Sequence, residues 1–282
     1  MSALLLISII IGVSAQNIIK KPYTQKSGGK GAFIFGAISS FAAMLFFVVS
    51  SGGFEWEAGL IPYALGFALS YGAATVFSVL ATAHGSLSLT ALIVSFALMI
   101  PTFYGLIFLK DPIGVGLIPG LLLLAASLVL INKKSDSVKI TGKWLIYVFL
   151  AFTGNGMCST VQKMQQVAYD GAYKNEFMII ALAAVVIGLI ITSVITERND
   201  AVRCIKLGWY FALGCGVMNG IVNLFIMLLS ARMRAALMFP LVSAGGIVIT
   251  FLVSRFVYKE KLTKAQLVGF ALGTASVVLL NI

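Results

Sequence analysis

Long apolar stretches alternate with short polar ones along the whole chain. Ten apolar stretches stand out, at about 2–19, 31–50, 60–80, 86–109, 113–132, 143–162, 177–196, 206–229, 235–257 and 263–282. A helix needs about 20 apolar residues to cross the hydrocarbon of a bilayer. The pattern therefore predicts ten membrane-spanning helices. The connections are short and leave no room for a water-soluble domain, so function must reside inside the bundle or at its mouths. Met1–Gln16 ends in Val13-Ser14-Ala15, which imitates a signal-peptide cleavage site. It lacks a charged leading segment, and the repeat described next needs it as a helix, so it reads as the first span.

The pattern repeats. Shifted by 149 positions, Lys110–Asn132 falls on Lys259–Asn281 without a gap. Lys110/Lys259, Gly120/Gly269, Ala126/Ala275, Ser127/Ser276 and Asn132/Asn281 are identical pairs, and Asp111 meets Glu260 as an acid. Apolar composition alone matches Leu with Leu by chance, but it does not align a Lys-acid pair, a Gly and an Asn together. The chain then divides into a first repeat over 1–132, a polar basic linker over 133–142, and a second repeat over 143–282. Each repeat holds five helices. Five is odd, so the two insert with opposite orientation, the arrangement of inverted-repeat transporters. The predicted fold class is an all-α integral membrane protein of ten transmembrane helices in two inverted five-helix repeats.

Composition narrows this picture. The chain of 282 residues is 60% hydrophobic and only 10% charged. Its mean hydropathy is +1.04. A soluble domain carries about 25% charged residues. That contrast excludes a secreted disulfide scaffold, a nucleic-acid-binding module and a soluble enzyme. The net charge of +11 is distributed by side. Lys20, Lys21, Lys26, Lys30, Lys133, Lys134, Lys139, Lys143, Arg198, Arg203, Lys206, Arg255, Lys259, Lys261 and Lys264 fall on one side of ten spans. Only Lys110, Lys163, Lys174, Arg232 and Arg234 fall on the other. The positive-inside rule makes the first side cytoplasmic. The chain is thus expected in the plasma or inner membrane, multi-pass, with both termini extracytoplasmic. The excess charge reports orientation and not a nucleic-acid partner.

Cys158, Cys204, Cys215 and the lone His84 form no spaced metal motif. Ser27-Gly-Gly-Lys-Gly31 lacks the spacing of a phosphate-binding loop. No catalytic motif is present, so the reading is a non-enzyme with no cofactor and no metal.

Phe108-Leu-Lys-Asp-Pro-Ile-Gly114 and Val257-Tyr-Lys-Glu-Lys-Leu-Thr263 each resemble an acid-containing turn that precedes a Gly-containing closing helix, here with Gly120 and Gly269. Ser86-Leu-Ser-Leu-Thr90 and Ala235-Ala-Leu-Met-Phe-Pro240 resemble the small-residue openings of the helices before those turns. On these segments the chain resembles a ten-helix member of the drug/metabolite transporter superfamily, in its EamA-like branch. The resemblance implies a central cavity lined by the first, third and fourth helices of each half. It also implies peripheral fifth and tenth helices. The spacings Gly116-x3-Gly120 and Gly269-x3-Gly273 allow those two helices close approach, within the monomer or across a homodimer seam.

Polar groups inside spans are costly and are therefore the site candidates. Ser14, Asn17 and Lys21 share one face of the first helix. Tyr71, Thr75 and Ser78 form a stripe on the third. Asn155, Ser159 and Gln162 share a face of the sixth, and Gly216, Asn219 and Asn223 a face of the eighth. The substrate-binding candidates are Ser14, Asn17, Tyr71, Asn155, Ser159, Gln162, Asn219 and Asn223. The alternative for each is helix-to-helix or own-backbone bonding. Lys21, Lys163 and Arg232 are candidates for anion binding or gating; the alternative is snorkelling to the interface for the lysines and orienting the structure for Arg232. The small relatives that export cations carry a Glu in the first helix, whereas here every acid lies in or next to a loop. The absence points to a neutral, zwitterionic or anionic solute.

The expectation is a secondary transporter of a small polar metabolite working by alternating access, with a small-molecule substrate and the lipid bilayer as partners. An exporter of drug-like or cationic compounds is the first alternative. It would hold cations on aromatic residues such as Tyr63, Tyr71 and Trp209. A membrane sensor or assembly partner without flux is the second.

Overall fold

The computed structural model describes residues 2–28, 30–84, 90, 93–94, 96–131, 141–198, 200–252 and 263–280. Among them there is no strand. The α-helices are α1 (Ser2–Ser27), α2 (Ala32–Ser50), α3 (Leu60–His84), α4 (Met99–Ile107, entered through a 3-10 turn at Phe96–Leu98) and α5 (Leu117–Ile131). They continue with α6 (Gly142–Ala168), α7 (Lys174–Thr196), α8 (Ala201–Ser230), α9 (Ala235–Leu252) and α10 (Lys264–Leu280). Five of them, α2, α3, α6, α7 and α8, are long and apolar enough to cross a membrane. The protein is a membrane α-helical protein at that level of description. The linker residues 133–140, the opening Ser86–Leu89, Arg255, Lys259, Lys261 and the pair Asn132/Asn281 lie outside the described residues.

Large apolar side chains are exposed around the outside of the bundle. Val49 is 84% exposed, Leu69 75% and Ile195 74%. A soluble fold would bury such residues; a bilayer solvates them.

Helix ends are held by specific partners. The Thr141 side chain accepts from the Trp144 amide at the start of α6, as an N-cap does. Glu197, at the end of α7, accepts from the Phe33 and Ile34 amides at 2.9 and 3.0 Å. It thereby satisfies two of the orphan donors at the start of α2. Gly31 precedes α2 with φ +72, and a side chain there would meet Cys204 and the Tyr23 hydroxyl. Gly208 breaks the helical path of α8. A Cβ there would meet the Tyr23 ring, so α1 and α8 approach at that point only because residue 208 has no side chain.

Packing joins the front and back of the chain. α1 lies against α8 and α9, α3 against α6 and α7, and α2 against α7 and α8. Phe47, Leu60, Phe67, Phe177, Met178 and Leu182 form one core between α2, α3 and α7. Ile9, Val222, Leu229 and Phe239 form another between α1, α8 and α9. α5 and α10 pack mainly on each other. A Cβ on Gly120 would meet the Leu280 side chain at 2.8 Å, so the small-residue spacing is used inside this chain.

Candidate functional site

A cavity of about 290 Å³ runs between α1, α2, α3 and α8. Gln16, Ser39, Tyr71, Thr75 and Asn219 line its inner part, and Tyr23 and Phe35 its flank. Ser27 and Lys30, at the connection from α1 to α2, line its other end. Helical spacing explains the α1 contribution, since Gln16 and Tyr23 stand seven residues apart and share a face. The lining residues include no carboxylate. Lys30 is paired with Asp200 at 3.0 Å.

Behind Asn219 a line of carboxamides crosses the bundle. Gln162 Nε2 donates to Asn223 Oδ1 at 2.7 Å. Asn223 Nδ2 donates to Asn219 Oδ1 at 2.8 Å and to the Asn219 backbone carbonyl at 2.9 Å. Asn219 Nδ2 donates to Gln16 Oε1 at 3.2 Å. Four amides thus link α6, α8 and α1. Gln16 and Gln162 are both buried, and a buried amide without partners would cost a few kcal/mol, about 1–3 by mutational scales.

The predicted residues separate into groups. Tyr71 and Asn219 line the cavity. Gln162 and Asn223 stand behind it in the amide line. Ser14 donates to the Ile10 carbonyl and Asn155 to the Ala151 carbonyl, each on its own helix. Neither lines the cavity, and Ser159, half-buried on α6, does not line it either. Asn17 and Lys21 lie on α1, but their side chains fall outside the described residues. Arg232 is exposed in the turn between α8 and α9.

Lys163 is buried and does not line this cavity. Its Nζ donates to the carbonyls of Ser230 at 2.5 Å and Met233 at 2.8 Å. Ser230 ends α8, where a carbonyl lacks an intrahelical partner, and Met233 lies in the turn that follows. Asp111 Oδ2 accepts from the Ala236 amide at 3.0 Å, at the start of α9. The turn from α8 to α9 is therefore held on both sides, by a cation at the helix C-terminus and an anion at the helix N-terminus, the favourable sense for both dipoles. Asp200 beside Lys30 puts the start of α8 at the Lys30 end of the cavity. Its 30 residues place Ser230 up to about 45 Å away at 1.5 Å per residue. The clamp and Lys30 lie at opposite ends of the bundle.

Sequence reasoning missed Gln16, Ser39 and the whole contribution of α2. Gln16 carried a usable signal, as a buried-type amide inside an apolar run with Tyr23 in phase. Ser39 carried the weaker signal of one hydroxyl beside another, Ser40, inside an otherwise apolar helix.

No protein-family model matches the chain, and no curated protein matches it. Among solved structures 29 chains match. One, described only as a crystal structure of a protein, superposes with a TM-score of 0.83 at 12% identity, over 100% of this chain and 98% of the other. At that identity the likeness is one of fold, and it extends over the whole chain.

Proposed function

We propose that the protein is a secondary transporter of a small polar metabolite, of the drug/metabolite transporter type with an EamA-like plan. In this reading ten helices span the plasma or inner membrane as two inverted repeats, over 1–132 and 143–282, with both termini extracytoplasmic. The observation that carries it is the asymmetric cavity. Both sequence halves build its wall, through α1, α2 and α3 on one side and α8 on the other. It reaches the surface residue Lys30, while Lys163 and Asp111 bind the turn from α8 to α9 at the opposite end of the bundle. One cavity open at one end, between halves able to exchange shapes, is what alternating access requires.

The repeat is supported by reciprocal bonds. Ser127 Oγ donates to the Gly269 carbonyl, and Ser276 Oγ to the Gly120 carbonyl. These four residues are partners under the 149-residue shift. Packing supports it too, because α1 on α8 matches α6 on α3, and α2 on α8 matches α7 on α3. In this reading the side of Lys30 is cytoplasmic by loop charge, and the cavity opens toward it.

Flux tests the reading. Purified protein in proteoliposomes should carry at least one member of a panel of labelled polar metabolites, with saturable kinetics that Asn219→Ala weakens. Folded protein that carries none of the panel would count against transport.

A further inference from the structure

The amide line has a direction, and that direction determines what the cavity offers to a solute. A backbone carbonyl can only accept a hydrogen bond. Asn223 bonds the Asn219 backbone carbonyl, so the atom it presents there is its nitrogen. The other orientations follow. Asn223 Oδ1 accepts from Gln162, Asn219 Oδ1 accepts from Asn223, and Asn219 Nδ2 is left to donate to Gln16 Oε1. A primary amide has one acceptor oxygen and two N–H donors. Along this line the oxygens of Asn223, Asn219 and Gln16 are taken by a neighbouring amide nitrogen. What reaches the cavity is nitrogen: the Gln16 amide N–H groups and the remaining Asn219 N–H.

The Tyr23 and Thr75 hydroxyls use their protons on backbone carbonyls and turn only lone pairs to the cavity, so they add no donor to those of Gln16 and Asn219. Tyr23 Oη donates to the Gly31 carbonyl, and Thr75 Oγ1 to the Tyr71 carbonyl. Gln16 is 7% exposed, lines the cavity, and its Nε2 has no protein partner among the described residues. A buried N–H donor at a cavity wall without a protein partner asks for an oxygen acceptor from the occupant.

Resting on the transport reading above, we infer that Gln16 and Asn219 select solutes by an oxygen acceptor group, a carboxylate above all. Gln162 and Asn223 do not line the cavity and act as positioning residues that fix the donor polarity of the wall. Aromatic surface from Phe35 and Tyr71 flanks the same space, so the carboxylate sits on a solute with a flat or apolar part. An amine without an acceptor gains nothing from these N–H groups and has only the hydroxyl oxygens of the wall to bond, so it binds more weakly.

The test uses the full chain in lipid nanodiscs and three probes of one skeleton: benzoate, benzamide and benzylamine. Calorimetric titration should rank benzoate first and benzylamine last, with a preference of about tenfold, the effect of one well-placed hydrogen bond. Gln16→Glu puts oxygen where the amide nitrogen stands and should invert the order. Asn223→Leu removes the amide that fixes Asn219 and should reduce the preference to within about twofold, while a merely structural role would leave the ranking intact. Should Gln16→Glu fail to fold, Asn219→Asp makes the same substitution of donor by acceptor. Tighter binding of benzylamine by the unaltered protein, or a ranking indifferent to these changes, overturns the inference. Flux of some solute together with no probe binding overturns it and leaves the transport reading standing. Neither flux nor binding of any solute overturns both.

Discussion

The Ser127 hydroxyl donates to the Gly269 carbonyl at 2.6 Å, and the partner bond from Ser276 to Gly120 returns at 2.9 Å. The two bonds cross one interface in opposite senses. They hold α5 against α10 where the absence of a side chain on Gly120 lets Leu280 come close. Gly120→Val should force that contact apart and cost about 1–3 kcal/mol. Ser127→Ala, which removes one bond and no bulk, should cost about 0.6 kcal/mol, the average for interhelical bonds in membranes. Thermal unfolding in detergent compares the two. Equal losses would mean that close approach is not what this seam depends on.

The amide line predicts a hierarchy among residues that look alike in sequence. Asn219→Ala removes a cavity wall group and breaks the bonds to Gln16 and Asn223. It should lower solute uptake about tenfold or more. Asn155→Ala removes a bond to the same helix only and should leave uptake within about twofold. Initial-rate flux on matched amounts of protein decides. A reversed order would place the solute on α6 and not beside α8.

The helices were the legible part of this chain, because apolar length is written directly in the residues. α2 and α7 are observed at Ala32–Ser50 and Lys174–Thr196, against stretches expected at 31–50 and 177–196. α1 continues to Ser27, through Pro22. Its last two turns are polar, and packing of Tyr23 against Phe35 and the Gly31 carbonyl holds them in place of lipid. The site was less legible. Ser14 and Asn155 occupied the right helical faces, but each is satisfied by its own i−4 carbonyl, and spacing does not distinguish that bond from a ligand contact. Gln162 and Asn223 were recognised as polar and placed at the solute, whereas they bond each other. Which amide ends a chain of amides depends on neighbours 61 and 203 residues away in sequence, and no local pattern encodes it.

Glu197 makes a third case. Its carboxylate accepts from the Phe33 and Ile34 amides and from the Ser193 hydroxyl. It secures the start of α2, a wall of the cavity, from the end of α7. Glu197→Ala leaves two amides at a helix N-terminus without an acceptor and should destabilise by about 1–3 kcal/mol. Glu197→Gln retains one acceptor oxygen and should lose less. By contrast Asp200→Asn breaks the exposed Lys30 pair and should cost at most about 1 kcal/mol, less in high salt. Unfolding midpoints of the three variants at low and high salt separate a half-buried cap from a surface pair.

The clamp at the far end yields the last prediction. Lys163 reaches from α6 to the carbonyls of Ser230, at the end of α8, and Met233, in the turn that follows, and Asp111 reaches to the first turn of α9. In a transporter that opens at each end in turn, these bonds exist in the state open at Lys30 and must break in the other. Lys163→Ala removes the cation and leaves the Ser230 and Met233 carbonyls without their donor, a penalty of about 1–3 kcal/mol confined to the closed end. That is enough to shift a two-state equilibrium by about five- to 150-fold. A single cysteine placed at Ala236, in a background lacking Cys158, Cys204 and Cys215, should therefore label faster with a membrane-impermeant thiol reagent when Lys163 is Ala. A second cysteine-bearing variant at Ser39, on the cavity wall, should label more slowly. Lys163→Arg keeps a cation within reach of the same carbonyls and should restore both rates toward the parent. If the two sites respond in the same direction, Lys163 holds the fold together generally and does not choose between the two open states.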